Sequence, residues 1–162
     1  MITADAFQQQ LQSSLIPLLT RWEHCYKIMN VSNTSVNAMI CLPIKPNHSV
    51  ELQIQYSPLY QEPQLTFRIW KREIEDDIDT QQVCFPDDIR QWLNTQDFTI
   101  RLDYLHPSNR DVWYSVHACD TAEIVGPESK DYLNRWASIF LTIFDSDVSL
   151  MFVPGVGHSD KY

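Results

Sequence analysis

Between residues 36 and 70, apolar and polar side chains alternate in three successive runs. Period-two alternation is the mark of a strand buried on one face only. Val36, Ala38, Ile40, Leu42 and Ile44 alternate with Asn37, Met39, Cys41 and Pro43. Val50, Leu52, Ile54 and Tyr56 alternate with Glu51, Gln53 and Gln55. Leu65, Phe67 and Ile69 alternate with Thr66, Arg68 and Trp70. Pro46-Asn47-His48 and Ser57-Pro58 mark the intervening turns. The pattern predicts a half-buried antiparallel sheet, apolar on one face and wetter on the other.

The apolar face needs a cover. Phe7, Leu11, Leu15, Leu18 and Trp22 recur every three or four positions, which predicts a helix over residues 5–27 facing the sheet. Pro17 lacks a backbone donor, so a bend or restart is expected there. Glu73, Glu75, Asp76, Asp77 and Asp79 read as an acidic loop. Pro86-Asp87-Asp88 reads as the start of a short helix through Trp92-Leu93. Phe98, Ile100, Leu102 and Tyr104 form a fourth alternating strand. After the loop Pro107–Asp111, the run Trp113–Cys119 forms a fifth, and the two are expected to make a hairpin. Gly126-Pro127 opens a last helix, with Tyr132, Trp136, Ile139, Phe140, Ile143 and Phe144 as its broad apolar face. Leu150 to Val153 reads as a final short strand, and the tail from about residue 155 as loose. The fold class is α+β: one domain over residues 1–162, an antiparallel sheet with helices packed on one face.

The chain has 162 residues, 44% hydrophobic and 12% aromatic, enough for a packed core. Its net charge of −9 argues against nucleic acid and anionic membrane as partners and permits a partner with a basic face. No stretch is long enough to span a bilayer and no leader peptide is visible, so no membrane insertion is expected. A cytosolic location with reduced thiols follows as the expectation for Cys25, Cys41, Cys84 and Cys119. His24-Cys25 and His117-x-Cys119 each offer two ligands, too few for a zinc site.

Cys119 is the chemically informative residue. Strand alternation places Trp113, Ser115, His117 and Cys119 on one face and Tyr114, Val116 and Ala118 on the other. A thiol thus ends a strand, one pleat from an imidazole, with Asp120 and Thr121 next along the chain. Thiolate is the reactive form, and a nearby imidazolium favours it. Residues two apart on a strand are about 6.5–7 Å apart, which disfavours a direct His117–Cys119 ion pair. His117 is therefore expected to organise the site rather than react. The other three cysteines are expected to be small buried hydrophobes, Cys41 least securely because it alternates onto the polar face.

With Trp113, His117, Cys119, Asp120 and Thr121 in this order before a helix rich in aromatics, the chain resembles the autophagy conjugating enzymes related to ubiquitin-conjugating enzymes. That family centres on His-Pro-Cys; here Ala118 replaces the proline. The resemblance implies that Cys119 is a nucleophile forming a thioester with the C-terminal glycine of a ubiquitin-like protein, autophagy-related protein 12. It implies autophagy-related protein 7 as the activating enzyme and a lysine of autophagy-related protein 5 as the acceptor. It implies no metal or small-molecule cofactor, because ATP is used on the activating enzyme. A cytoplasmic enzyme recruited to the site of autophagosome assembly fits the same resemblance.

Aminolysis of a thioester needs a deprotonated amine and donors for the oxyanion. His106-Pro107-Ser108-Asn109 is an imperfect echo of the His-Pro-Asn of ubiquitin-conjugating enzymes, so Asn109 is either an oxyanion donor or a turn residue. Tyr56 ends its strand before Ser57-Pro58 and either brings a hydroxyl to the sheet rim or packs at the edge of the core. Asp120 either steers an incoming lysine or closes a turn. The strands at 50–56 and 65–70, with the acidic loop after them, are the expected edge for acceptor docking. The alternatives in other classes are a non-catalytic interaction module of the same fold, and a thiol hydrolase or redox protein.

Overall fold

The computed structural model describes residues 1–103, 112–118 and 121–152. Cys119, Asp120, Asn109 and the tail beyond Phe152 lie outside the described residues.

The chain opens with helix α1 (Ala4–Gln10), whose first turn is capped by Thr3 Oγ1 accepting from the Ala6 amide at 3.1 Å. A π-helical turn, Leu11–Leu15, leads into α2 (Ile16–Arg21). The cause is Pro17. It has no N–H to return to Ser13, and the Ile16 amide reaches back five residues to Leu11. The extra residue per turn lets the helical path continue, with Phe7, Leu11, Leu15, Leu18 and Leu19 all fully buried. The helix ends at Arg21, short of the expected residue 27. Trp22 turns extended and its buried indole donates to Asp145 Oδ2 at 2.9 Å. Residues Cys25–Met29 then form strand β1.

Six further strands follow: β2 (Ser35–Cys41), β3 (His48–Ser57), β4 (Glu62–Glu75), β5 (Ile78–Cys84), β6 (Phe98–Asp103) and β7 (Trp113–Ala118). They form one antiparallel sheet in the order β1-β2-β3-β4-β7-β6, with β5 also paired to β4. The acidic stretch is the β4–β5 hairpin rather than a loop. Asp76 and Asp77 take left-handed φ of 51° and 61° at its turn, a conformation Asp tolerates. Glu73 and Asp79 lie on the strands, and Asp79 holds Arg72 through two bonds near 3 Å and one of 2.6 Å.

Rows of side chains cross the inner face in register. Val36, Ile54, Leu65, Val116 and Ile100 make one row; Ala38, Leu52, Phe67 and Tyr114 the next; Ile40, Val50 and Ile69 a third. Helix α4 (Tyr132–Phe140) covers them with the N-terminal helices, Trp136 stacking on Phe140 at 4.6 Å. This helix starts at Tyr132, not at Gly126. Arg135 holds the preceding connection, donating from Nε to the Val125 carbonyl at 2.9 Å and from its Nη atoms to Lys130 and Glu128. The short helix expected after Pro86 is a single 3₁₀ turn, Ile89–Gln91. Val148–Phe152 is a 3₁₀ turn rather than a strand, its Leu150 amide bonding back to Asp147.

The outer face is not simply wet. Asn37, Glu51, Gln53 and Arg68 are buried there, on residues that pair across β2, β3 and β4. Arg68 grips Glu51 with two bonds of 3.0 and 3.1 Å, and Trp70 Nε1 reaches the same carboxylate at 3.4 Å. The guanidinium also lies 4.8 Å from the Trp70 ring and 4.4 Å from that of Trp113. Removing one partner of such a pair strands the other charge. Arg68→Met should lower stability by about 3–5 kcal/mol in urea unfolding, and Glu51→Leu added to it should restore most of the loss. A loss under about 1 kcal/mol would show a pair as weakly coupled as an exposed one.

Candidate active-site rim

Strand β7 sits between two neighbours. Leu65–Phe67 of β4 pair with Tyr114–Val116 on one side, and the whole of β6 pairs with it on the other. Its backbone is therefore held as far as Ala118, which pairs with Phe98. The alternation is as expected: Tyr114 and Val116 enter the core, while Ser115 and His117 face outward. His117 is exposed, and its Nε2 lies 3.3 Å from Ser115 Oγ. Helix α3 (Thr121–Val125), absent from the sequence-based reading, begins just after Cys119 and Asp120. Its Thr121 hydroxyl donates to the Ala118 carbonyl at 3.4 Å, so the chain is tied on both sides of Cys119.

Tyr56 and Glu62 belong to the same rim, at the turn end of the β3–β4 hairpin, where Tyr56 pairs with Pro63 and Ser57 with Glu62. The Tyr56 ring is buried against Phe7, centroids 5.4 Å apart, and its hydroxyl donates to the Ile2 carbonyl at 2.9 Å. The phenol is anchored on the core side, while His117 faces the other way. Glu62 was not singled out by sequence. Partial burial pushes its carboxyl above the ordinary value of 4.5, and the N-terminal ammonium and the His117 imidazole pull the other way. The clue lay in carrying the β4 alternation back through Pro63 to the turn.

A groove of about 630 Å³ opens beside Ala118, walled by Phe98 and Thr99 of β6, Ile124 of α3, and Ile139 and Thr142 at and after the end of α4. Among the described residues no group of His, Cys, Asp and Glu could hold a metal ion, and no helix is long and apolar enough to cross a membrane. Cys25, Cys41 and Cys84 are unpaired thiols. Cys25 is half-buried and burial pushes its thiol up, which disfavours the thiolate. Cys84 packs partly against the core, and Cys41 is exposed on β2.

An antiparallel sheet with helices on one face and a strand delivering a cysteine after its last paired residue defines an architecture like that of ubiquitin-conjugating enzymes. Residues 9–150 match the family described as autophagocytosis associated protein, active-site domain. The chain belongs to that family. It is 30% identical over 156 residues to the ubiquitin-like-conjugating enzyme ATG10 of Kluyveromyces marxianus, covering 95% of this chain and 100% of the relative. It is 41% identical over 99 residues to ATG10 of Saccharomyces cerevisiae strain S288c, 59% of each chain. Among solved structures, the solution structure of KmAtg10 superposes with a TM-score of 0.79 at 29% identity, over 91% of this chain and 98% of that one. The crystal structure of the autophagic E2 Atg10 gives 0.68 at 30% identity, over 89% and 96%.

A carboxyl whose pKa is raised by folding favours the folded state while protonated, and that advantage is lost as pH rises through its folded pKa. Glu62 therefore opposes stability at neutral pH. Glu62→Gln should raise the melting temperature at pH 7, and the gain should shrink to nothing as pH falls below about 4.5, where the carboxyl is protonated in the folded and the unfolded state alike. An unchanged difference across pH 3.5–7 would remove burial of the charge as the cause.

Proposed function

We propose that this chain carries autophagy-related protein 12 as a thioester on Cys119 and transfers it to a lysine of autophagy-related protein 5. The observation that supports it is the delivery strand: β7, braced on both sides, ends at Ala118 beside an open groove, one residue before Cys119. The family match spans that segment and is described as an active-site domain.

Two exchanges make up the reaction. First the Cys119 thiolate attacks the glycine carbonyl held on the activating enzyme, autophagy-related protein 7. A new S–C bond forms and the activating enzyme's cysteine leaves as thiolate. Then the acceptor amine attacks the same carbonyl, the C–N bond forms, and Cys119 leaves as thiolate while the amine proton passes to solvent or a nearby base. His117 organises the approach, its ring engaged with Ser115 two residues back along the strand. Asp120 and Asn109 are proposed to meet the amine and the oxyanion. Tyr56 belongs to that step too, with its hydroxyl anchored on Ile2 and its oxygen still able to accept.

Incubation with ATP, the activating enzyme and the ubiquitin-like protein, read on a non-reducing gel, tests the carrier step. Wild type should give a thiol-sensitive adduct, Cys119→Ser a thiol-resistant one, and Cys119→Ala none. An adduct persisting on Cys119→Ala would move the nucleophile elsewhere. No adduct on the wild type would favour a non-catalytic interaction module. His117→Ala should slow charging about tenfold without abolishing it, the cost of lost positioning rather than lost chemistry.

Tyr56→Phe separates two roles of one hydroxyl. Losing the bond to Ile2 should cost about 1 kcal/mol in urea unfolding. If the oxygen also serves transfer, single-turnover discharge to the acceptor should slow while thioester formation stays near normal, and Asp120→Ala should share that profile. Wild-type discharge rates would leave Tyr56 as an anchor of the N-terminal segment alone.

A further inference from the structure

Glu62 carries a charge that the fold does not use. It stands at the turn end of the β3–β4 hairpin, opposite Ser57, where pairing needs only its backbone. Its carboxylate makes no hydrogen bond or ion pair with a described residue. A partly buried carboxylate without a counter-ion costs stability. Resting on the carrier reading above, we infer that Glu62 receives the ε-ammonium of the acceptor lysine and takes its first proton.

The register supports that role. Strands β4 and β7 run antiparallel, and Leu65 pairs with Val116. Glu62 lies three residues before Leu65, and Cys119 three residues after Val116, so both stand equally far in sequence from one pair. Alternation gives Glu62 the outer face, which Ser115 and His117 share. The charged and titratable groups around it leave room for a cation. Burial raises its carboxyl, and the N-terminal ammonium and the His117 imidazole pull it back. Neither cation bonds to the carboxylate, so it stays open to a third. On α4, the Tyr132 hydroxyl is pushed up by its own burial and then by Glu62, with Arg135 pulling it down. That hydroxyl is fully buried and has no partner, so it does not neutralise Glu62 either.

In water an ammonium and a carboxylate both stay charged, and a lysine held that way cannot attack. Burial disfavours both charges, raising the carboxyl and lowering the amine. Within a partly buried pair the proton moves from nitrogen to Glu62, leaving a neutral amine beside the thioester. The amine attacks the carbonyl, the C–N bond forms, the C–S bond breaks, and Cys119 leaves as thiolate. The second proton, released from nitrogen as the amide forms, passes to that thiolate or to solvent. Asp120, proposed above to meet the amine, keeps that role, and the first proton goes to Glu62.

The test charges the full chain as wild type, Glu62→Gln and Glu62→Asp, then follows single-turnover discharge to the acceptor and to hydroxylamine. Glu62→Gln should form its thioester normally yet discharge to the acceptor about a hundredfold more slowly at pH 7. The deficit should shrink as pH rises toward about 10, where lysine loses its proton unaided. Glu62→Asp keeps a carboxylate on a shorter stem and should recover part of the rate. Hydroxylamine is already neutral at pH 7, so it should discharge wild type and Glu62→Gln equally fast. An equal deficit with hydroxylamine or at every pH would make Glu62 merely structural and overturn the proposal. Wild-type discharge to the acceptor by Glu62→Gln would overturn it too. In each of these outcomes the thioester has formed, so the carrier reading stands. Failure of wild type to form any thioester overturns the carrier reading, and the role of Glu62 with it.

Discussion

The length of β4 governs the arrangement of everything else. Glu62–Glu75 is a fourteen-residue strand, and β3 pairs along its first ten residues. The opposite side is divided: Leu65–Phe67 take β7, and Ile69–Glu75 take β5. A single edge therefore hosts two partners end to end, which no short strand could do. That division sends the β4–β5 hairpin away from the body and draws β7 to the turn end of the β3–β4 hairpin. The rim with Tyr56, Glu62, His117 and Ala118 is a consequence of where β5 stops and β7 begins.

The energetic support for this strand comes from both faces. Inward, Leu65, Phe67 and Ile69 are each essentially fully buried in cross-strand rows. Full burial of a side chain of this kind stabilises by about 1.5–3 kcal/mol. Outward, Arg68 sits between two tryptophans and on Glu51, a bond across β3 and β4 that is satisfied only in the native register. A one-residue slip would expose the inner row and strand the buried ion pair together. The apolar rows supply most of the stability, and the ion pair penalises the wrong pairing.

The inner face was legible in sequence because its information is local. Alternation at 36–44, 50–56 and 65–69 needs no knowledge of partners, and each of those apolar residues is in the core except Ile44, which lies past the end of β2 and is exposed. The helical stripe from Phe7 was legible for the same reason, and Pro17 marked the place of its π-helical turn. What failed depended on distant partners. Residues 25–29 continue the helical spacing weakly, but pairing with Asn37–Ile40 makes them a strand. The acidic run reads as loop by composition, yet Ile74, Ile78 and the tolerance of Asp76 and Asp77 for positive φ allow a hairpin. Burial of Glu51 and Arg68 was hidden because each looks solvated until the other is across from it. At the site, Ser115 and His117 fell on the expected face, whereas Glu62 needed the strand register to be seen at all.

The replacement of proline by Ala118 is accounted for by the same sheet. In the motif that this segment resembles, proline stiffens the backbone before the cysteine by fixing φ, at the cost of a donor. Alanine leaves φ free but keeps its N–H available to a neighbouring strand. Here Ala118 lies in register with Phe98, and its carbonyl accepts from Thr121. Rigidity that a ring would impose from within is supplied from outside, by β6 on one side and the first turn of α3 on the other. The exchange ties the backbone that leads to Cys119 to the integrity of β6. An edge strand that both braces the approach to the thiol and lines the groove beside it couples two demands, since anything that pairs with β6 also steadies Ala118.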